Sequence, residues 1–313
     1  MHLTPAGRVL VTDLGSGADD GRVVAVNLAD GSQEVLLDGL PSTSDSGQQF
    51  ADLAGLSAAA MAPDGTVCTV IGDAGGDAHG TMRCSDGLTV GLKDFERDAN
   101  PDGDEIASNR YDIAADGDHG WYVTDAAANA VLHIERGGGE IEVVASFRSL
   151  EPITGEATDA VPTGILRRDD DLIVALFGGA VVRIGRNGEG DVLGEVPSPI
   201  ALAEVEDGAI LVLSHEDGTV IRLDDGHEPE LIVADLDRPT GLARAEGSSH
   251  LIPPLSEHWE QSEADKGANK GASVSDGNAE IWQVEHAFGR RTSVGTAYRM
   301  RGIPMSCVPI WVD

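Results

Sequence analysis

One unit of sequence recurs along this 313-residue chain, and a repeat narrows the possible folds more than composition does. Five stretches align: 57–70 (SAAAMAPDGTVCTV), 111–125 (YDIAADGDHGWYVTD), 162–176 (PTGILRRDDDLIVAL), 199–213 (PIALAEVEDGAILVL) and 239–252 (PTGLARAEGSSHLI). Each reads as a short small or apolar strand, an acidic turn that usually holds Gly, and a second apolar strand. The Asp-Gly pairs supply the positive backbone angles of tight hairpins. A third strand, alternating apolar and polar, follows at 22–27, 130–135, 180–185, 219–224 and 280–285. A fourth closes several units at 33–38, 140–147 and 230–236.

Four strands per unit, repeated in series, predict an all-β fold of the β-propeller type with four-stranded blades. Residues 8–38 supply the second, third and fourth strands of a first blade, and no inner strand is recognisable before them. Five inner strands follow. The expected fold is a six-bladed β-propeller whose first blade lacks its inner strand, with an irregular C-terminal tail. Such a gap leaves an exposed sheet edge, a liability that points to a longer natural chain carrying the missing strand and an export signal. The expected organisation is blades 1 to 5 and the start of blade 6 over 1–252, a flexible insertion over 253–279, a blade 6 strand over 280–289 and an irregular tail over 290–313.

Unit starts lie 54, 51, 37 and 40 residues apart. The longer early spacings hold inserted loops at 41–56, 72–87, 94–108 and 150–160. Loops of this kind gather on one face of a repeat protein, which is commonly its binding face. The tail differs in composition. The first 249 residues carry a net charge of −31 and the last 64 only −2, and three of the four Trp lie in that tail. A flexible insertion with a docking tail, a reading-frame error and a partner-binding extension all fit.

The net charge of −33 argues against nucleic acid and anionic membrane as partners, because such a field repels both. No apolar run is long enough to span a membrane. Arginine outnumbers lysine, with only Lys93, Lys266 and Lys270 present. The acid is dispersed over many turns, which favours a salt-adapted surface over a polycation-binding one. Cys68, Cys84 and Cys307 are too few and too irregular for a disulfide framework or a zinc cluster. Cys68 reads as a small buried hydrophobe.

Function in such a fold gathers at the mouth of the central channel. Asp13, Asp73 and Asp125 each end a second strand, and His215 follows the equivalent strand of blade 5. Repeated Asp at one level could ring an axial cation such as Ca2+, with Asp73 and Asp125 its best ligands. The same Asp could instead cap the turn that follows. Asn109, Tyr111 and Asp112 open blade 3. Thr163 and Thr240 stand in identical Pro-Thr-Gly contexts, where the hydroxyl faces the channel or the tripeptide simply sets the entry into the inner strand. No histidine pair has metal-ligand spacing, and His79 and His215 lie nearest the candidate loops. No nucleophile elbow, phosphate loop or dinucleotide fingerprint occurs.

Residues 95–147 resemble the central region of the ScyD/ScyE family, propellers named for the scytonemin gene cluster. The resemblance rests on Asn100-Pro101-Asp102-Gly103, on Ser108-Asn109 with Tyr111, on Asp125-Ala126-Ala127-Ala128-Asn129-Ala130 and on Ala160-Val161-Pro162-Thr163-Gly164. It extends more loosely over residues 7–247. Arg110 departs from the family pattern, which usually has Pro there. Asp125 with Asn129 is similar to the Asp…Asn turn of NHL-type repeats, where a buried Asn satisfies main-chain groups.

The resemblance implies an exported propeller with no settled reaction. It acts as a binding module for a small molecule, a polysaccharide or a protein, and is expected to be a monomer. The alternative is a lactonase, hydrolase or streptogramin-lyase-like enzyme using a channel cation to polarise a carbonyl. Relatives of that kind hold their cation with a Glu near the start of the propeller, and none occurs there in this chain.

Overall fold

The computed structural model describes residues 2–4, 7–27, 30–44, 53–72, 80–104, 106–147, 159–185, 188, 190–236 and 239–243, and the backbone of short strands between 280 and 312. Blade 1 is built from β1 (His2–Leu3), β2 (Val9–Asp13), β3 (Gly21–Val26) and β4 (Gln33–Leu40). A two-stranded ribbon, β5 (Thr43–Ser44) with β6 (Leu53–Ala54), precedes blade 2, which comprises β7 (Leu56–Met61), β8 (Val67–Ile71), β9 (Thr81–Cys84) and β10 (Thr89–Gly91). Helix α1 (Leu92–Ala99) follows. Blade 3 is β11 (Arg110–Ala115), β12 (Gly120–Asp125), β13 (Ala130–Glu135) and β14 (Ile141–Ser146). Blade 4 is β15 (Pro162–Arg168), β16 (Asp171–Leu176), β17 (Ala180–Ile184) and β18 (Gly190–Glu195). Blade 5 is β19 (Pro199–Glu204), β20 (Ile210–Ser214), β21 (Thr219–Leu223) and β22 (Glu230–Val233). Every blade is an antiparallel meander in sequence order.

The blade count is therefore five and not six. The unit at 239–252 does not open a sixth. Residues 239–243 lie outside any strand, although Leu242 is buried against Ile200 and Leu213 of blade 5. An inner strand exists only while a neighbouring edge accepts its main-chain bonds, and these residues make no such ladder. The stretch 253–279 lies outside the described residues.

The expected blade 6 strand is β23 (Glu280–Val284). It is followed by β24 (His286–Ala287), β25 (Arg290–Arg291), β26 (Thr296–Arg299) and β27 (Trp311–Val312). β23 pairs antiparallel with β26 and parallel with β27, an order no meander blade can have.

Blade 1 also possesses the inner strand that its sequence hides. A tight turn, in which the amide of Gly7 donates to Thr4 O at 2.9 Å and the amide of Arg8 to Thr4 Oγ1 at 3.1 Å, folds β1 back onto β2. Two paired residues are too few to show alternation, which is why the strand is invisible in the sequence. Blade 2 hides its outer pair for a similar reason, since β9 and β10 have only four and three residues. The expected loop at 94–108 likewise contains most of α1.

Blades stack face to face, so blades 2, 3 and 4 each pack against a neighbour on both faces. Leu10, Val23 and Ala25 of blade 1 meet Leu56, Ala59 and Val67 of blade 2. Val70 and Met82 meet Ile113, Trp121 and Val123 of blade 3. Val131 meets Ile165, Val174 and Val182 of blade 4, and Ile173 and Val181 meet Leu202, Ile210 and Val212 of blade 5. Second strands such as β2 and β20 are buried at every position and are mostly apolar. Each such Val, Leu or Ile stabilises the fold by about 1.5–3 kcal/mol.

Glycine permits two close approaches. A Cβ on Gly164 would lie 2.9 Å from Ala201 Cα of the next inner strand. Gly218, at φ +59, closes the β20–β21 turn against the carbonyl of Leu236.

Four outer strands carry a register shift at the same place. Leu36, Val144, Leu193 and Ile232 are each skipped in the pairing with the third strand. Each is half-buried against an inter-blade cluster. The bulge turns one extra apolar side chain inward and spoils the ladder of the rim strand, which protects it from edge-to-edge pairing.

Cys68 and Cys84, directly paired between β8 and β9, form a disulfide. Cys68 is fully buried as expected, but it is bonded rather than a lone hydrophobe.

Candidate functional site

The ends of the second strands lie at one level, and their polar side chains bind the chain around them. Asp13 is fully buried and accepts from the amide of Gly15 at 2.9 Å and from Arg22 Nε at 2.7 Å. Asp125, 1% exposed, accepts from the amides of Asn109 (2.6 Å) and Ala128 (3.3 Å) and from Ser108 Oγ, with Arg110 Nε at 3.5 Å. Ser214 donates to Pro197 O at 2.7 Å. These Asp residues act as turn caps. Asp73 and His79 lie outside the described residues. Among the described residues, no group of three His, Cys, Asp or Glu side chains is placed to hold a metal ion.

The inner strands start irregularly, and hydroxyls fill the gaps in their ladders. The amide of Asp112 donates to Thr124 Oγ1 at 2.9 Å, and that hydroxyl donates to Thr163 O at 2.6 Å. Thr163 Oγ1 lies 2.7 Å from Pro199 O and 3.2 Å from Ala175 O. A chain of hydroxyl–carbonyl bonds thus links blades 3, 4 and 5 around the channel. Thr163 is buried within it, whereas Thr240 is exposed. Asn109 is exposed beside Gly72. Tyr111 is half-buried against the blade 5 cluster. His215 Nδ1 donates to Pro239 O at 3.0 Å.

The channel itself is crossed. His2, on the inner strand of blade 1, donates from Nε2 to Asp112 Oδ1 of blade 3 at 2.9 Å. Asp112 also accepts from the amides of Ile113 (2.9 Å) and Ile165 (3.0 Å). Burial pushes its carboxyl up, but the His2 imidazole and the Ile165 amide outweigh burial and hold it below the usual carboxylate range.

Among the described residues, a cluster of buried charge lies where α1 meets blade 3. Glu96 (1% exposed), Asp102, Arg110 and Asp125 are all buried there. Asp102 is held by Asn129 Nδ2 at 3.1 Å and by the amide of Asp104 at 3.0 Å. Asn129 Oδ1 in turn accepts from the amide of Val161 at 2.9 Å, satisfying main chain at the entrance to blade 4. Glu96 Oε1 is buried with no hydrogen-bond partner. Burial first, then the Asp125 and Asp102 carboxylates, raise its carboxyl to about 7 against the pull of Arg110.

Glu96 is not legible as a site residue in the sequence, where 94–108 has the look of an inserted loop. The available signal was the four-residue spacing of Leu92 and Glu96, which puts both on one helix face.

No family model matches the chain, and no curated protein matches it. Solved structures do. The chain is similar to virginiamycin B lyase from Staphylococcus aureus at 17% identity and a TM-score of 0.54, over 80% of this chain and 75% of that one. It is similar to a streptogramin B lyase at 12% identity and a TM-score of 0.54, over 80% and 88%. A chain of the nidogen/laminin complex gives 12% identity and a TM-score of 0.54, over 79% and 84%. The fold is a β-propeller. At such identities the likeness extends to the fold alone, and the ScyD/ScyE resemblance stays at the level of motifs.

Proposed function

We propose that the chain is a ScyD/ScyE-like binding module, holding a partner on the face where the inner strands begin. One observation carries this reading. The polar residues nearest the channel mouth are already engaged: Asp13 and Asp125 cap turns, Thr163 bonds two carbonyls and Asp112 holds His2. Among the described candidate residues, Asn109 and Thr240 are exposed, which suits recognition better than proton transfer.

The partner is a small molecule, a polysaccharide or a protein. The nidogen/laminin structure offers a propeller of this fold in a protein complex. Export is supported by the Cys68–Cys84 disulfide, since such bonds persist in oxidising compartments.

Arrayed glycans and arrayed neutral and cationic peptides, probed with the immobilised chain in high monovalent salt, test the reading. Saturable binding that Asn109→Arg and Thr240→Arg abolish is the expected outcome. Parallel incubation with quinupristin, the compound bound in a virginiamycin B lyase structure, tests the enzymatic alternative. A time-dependent change in its mass that His215→Ala removes would overturn the binding reading.

A further inference from the structure

We propose that Glu96 is a proton-operated latch that holds helix α1 and the 100–104 turn against blade 3, closed when its carboxyl is protonated and loosened when it ionises. The seat of this side chain carries the inference. Glu96 is buried, and its Oε1 meets no donor. The two carboxylates that act on it have partners elsewhere: Asp125 with two amides, Ser108 and Arg110, and Asp102 with Asn129 and the Asp104 amide. An ionised Glu96 would be an uncompensated buried charge facing two like charges, with one guanidinium shared between them. A neutral carboxyl removes that conflict, because burial and like charge both favour the protonated form.

The charged groups around it are few. Asp125 on β12, Asp102 on the 100–104 turn and Arg110 on β11 face it across the contact. Within α1, Arg97 pairs with Asp94 and Asp98 on the exposed side, and Lys93 is also exposed. Arg83 lies on β9, the strand that α1 packs against, and is not among the groups that act on the carboxyl. Among the described residues, no histidine is one of the groups that act on the Glu96 carboxyl.

The helix has few fastenings besides Glu96. Its N-cap is Gly91, which provides no side-chain cap. The amides of Leu92 and Lys93 both converge on Gly80 O, at 3.0 and 3.1 Å. The C-cap is Asn100 in the left-handed conformation, and α1 meets blade 3 through Leu92 at its start and through Phe95 and Glu96.

The sign follows from the direction of the shift. The folded carboxyl titrates at about 7, above its ordinary 4.5. The closed form is therefore fully favoured below the ordinary value and loses ground as pH rises through the folded one. Local opening should grow about tenfold from about pH 6 to about pH 8.

Hydrogen exchange of peptides spanning 92–104, corrected for intrinsic rates and measured on the full chain in high salt, reads this directly. Wild type should lose about tenfold protection over that range, while blade 4 and blade 5 peptides stay unchanged. Glu96→Gln should keep the segment protected at both pH values. A carbon-13 titration of the Glu96 carboxyl in wild type gives a second readout that needs no variant. Flat protection in wild type, or a Glu96 carboxyl that titrates at an ordinary value, would overturn the latch.

Discussion

Two buried residues show how much one side chain can hold. Arg110 and Asp125 are 0% and 1% exposed, and the carboxylate gathers the Asn109 and Ala128 amides as well. Removing one member of a buried pair strands the other, which typically destabilises by about 3–5 kcal/mol. Asp125→Ala should lose that much in urea unfolding. Asp13→Ala should lose less, because its partner Arg22 is a third exposed and can turn to solvent. An equal loss at both positions would show that amide capping, and not the ion pair, dominates.

At this scale the sequence marked Asp13, Asp125 and Thr163 as important but left two uses for each open. Whether a carboxylate at a strand end caps its own turn or points into the channel depends on backbone angles two residues away, which the repeat pattern does not encode.

At the scale of elements, the second and third strands were the most legible, since long apolar runs such as ILVLS and AVVRI have few alternatives. The ends were the least. β1 has two residues and β10 three, too short for any period to register. The paired cysteines are a register effect. Residues 68 and 84 are ordinary neighbours in sequence terms until β8 and β9 align them, with Cα atoms 4.0 Å apart. A closed loop of this size, 16 residues in separation, is expected to add about 3 kcal/mol through the unfolded state. The double substitution of Cys68 and Cys84 by Ala should lower stability by about that amount under oxidising conditions. Reduction of the wild type should reproduce the loss. No difference between reduced and oxidised protein would mean that blade packing alone aligns the two strands.

At the scale of the whole molecule, charge and packing oppose one another. The chain carries −33, and many of its arginines tie blade to blade. Arg136 of blade 3 reaches Asp64 of blade 2 and stacks on Trp121. Arg167 of blade 4 reaches Asp116 of blade 3 at 2.8 Å. Arg168 donates to Gly208 O of blade 5 at 2.7 Å, and Arg183 spans to Asp225. A planar fork with several donors suits these bridges better than a lysine point charge, which accounts for the bias toward Arg.

The remaining acids repel one another across the surface. Screening over about 10 Å at 0.1 M salt shortens to about 3 Å at 1 M. The melting temperature should therefore rise between those conditions in KCl. A melting temperature that is flat or falls would show that the acids are locally paired and not a salt-adapted surface.

The sequence by itself determined the unit and its order. A two-residue period with Asp-Gly turns can form little but hairpins, and hairpins buried on both faces must stack. Tertiary structure alone decided how many units close into blades, because a strand needs a partner edge and the 239–243 segment has none among the described residues. Tertiary structure also brought Glu96, Asp102, Arg110 and Asp125 together. They come from a helix, a turn and two strands, and their charges interact only once blade 3 receives α1 and water is gone from between them.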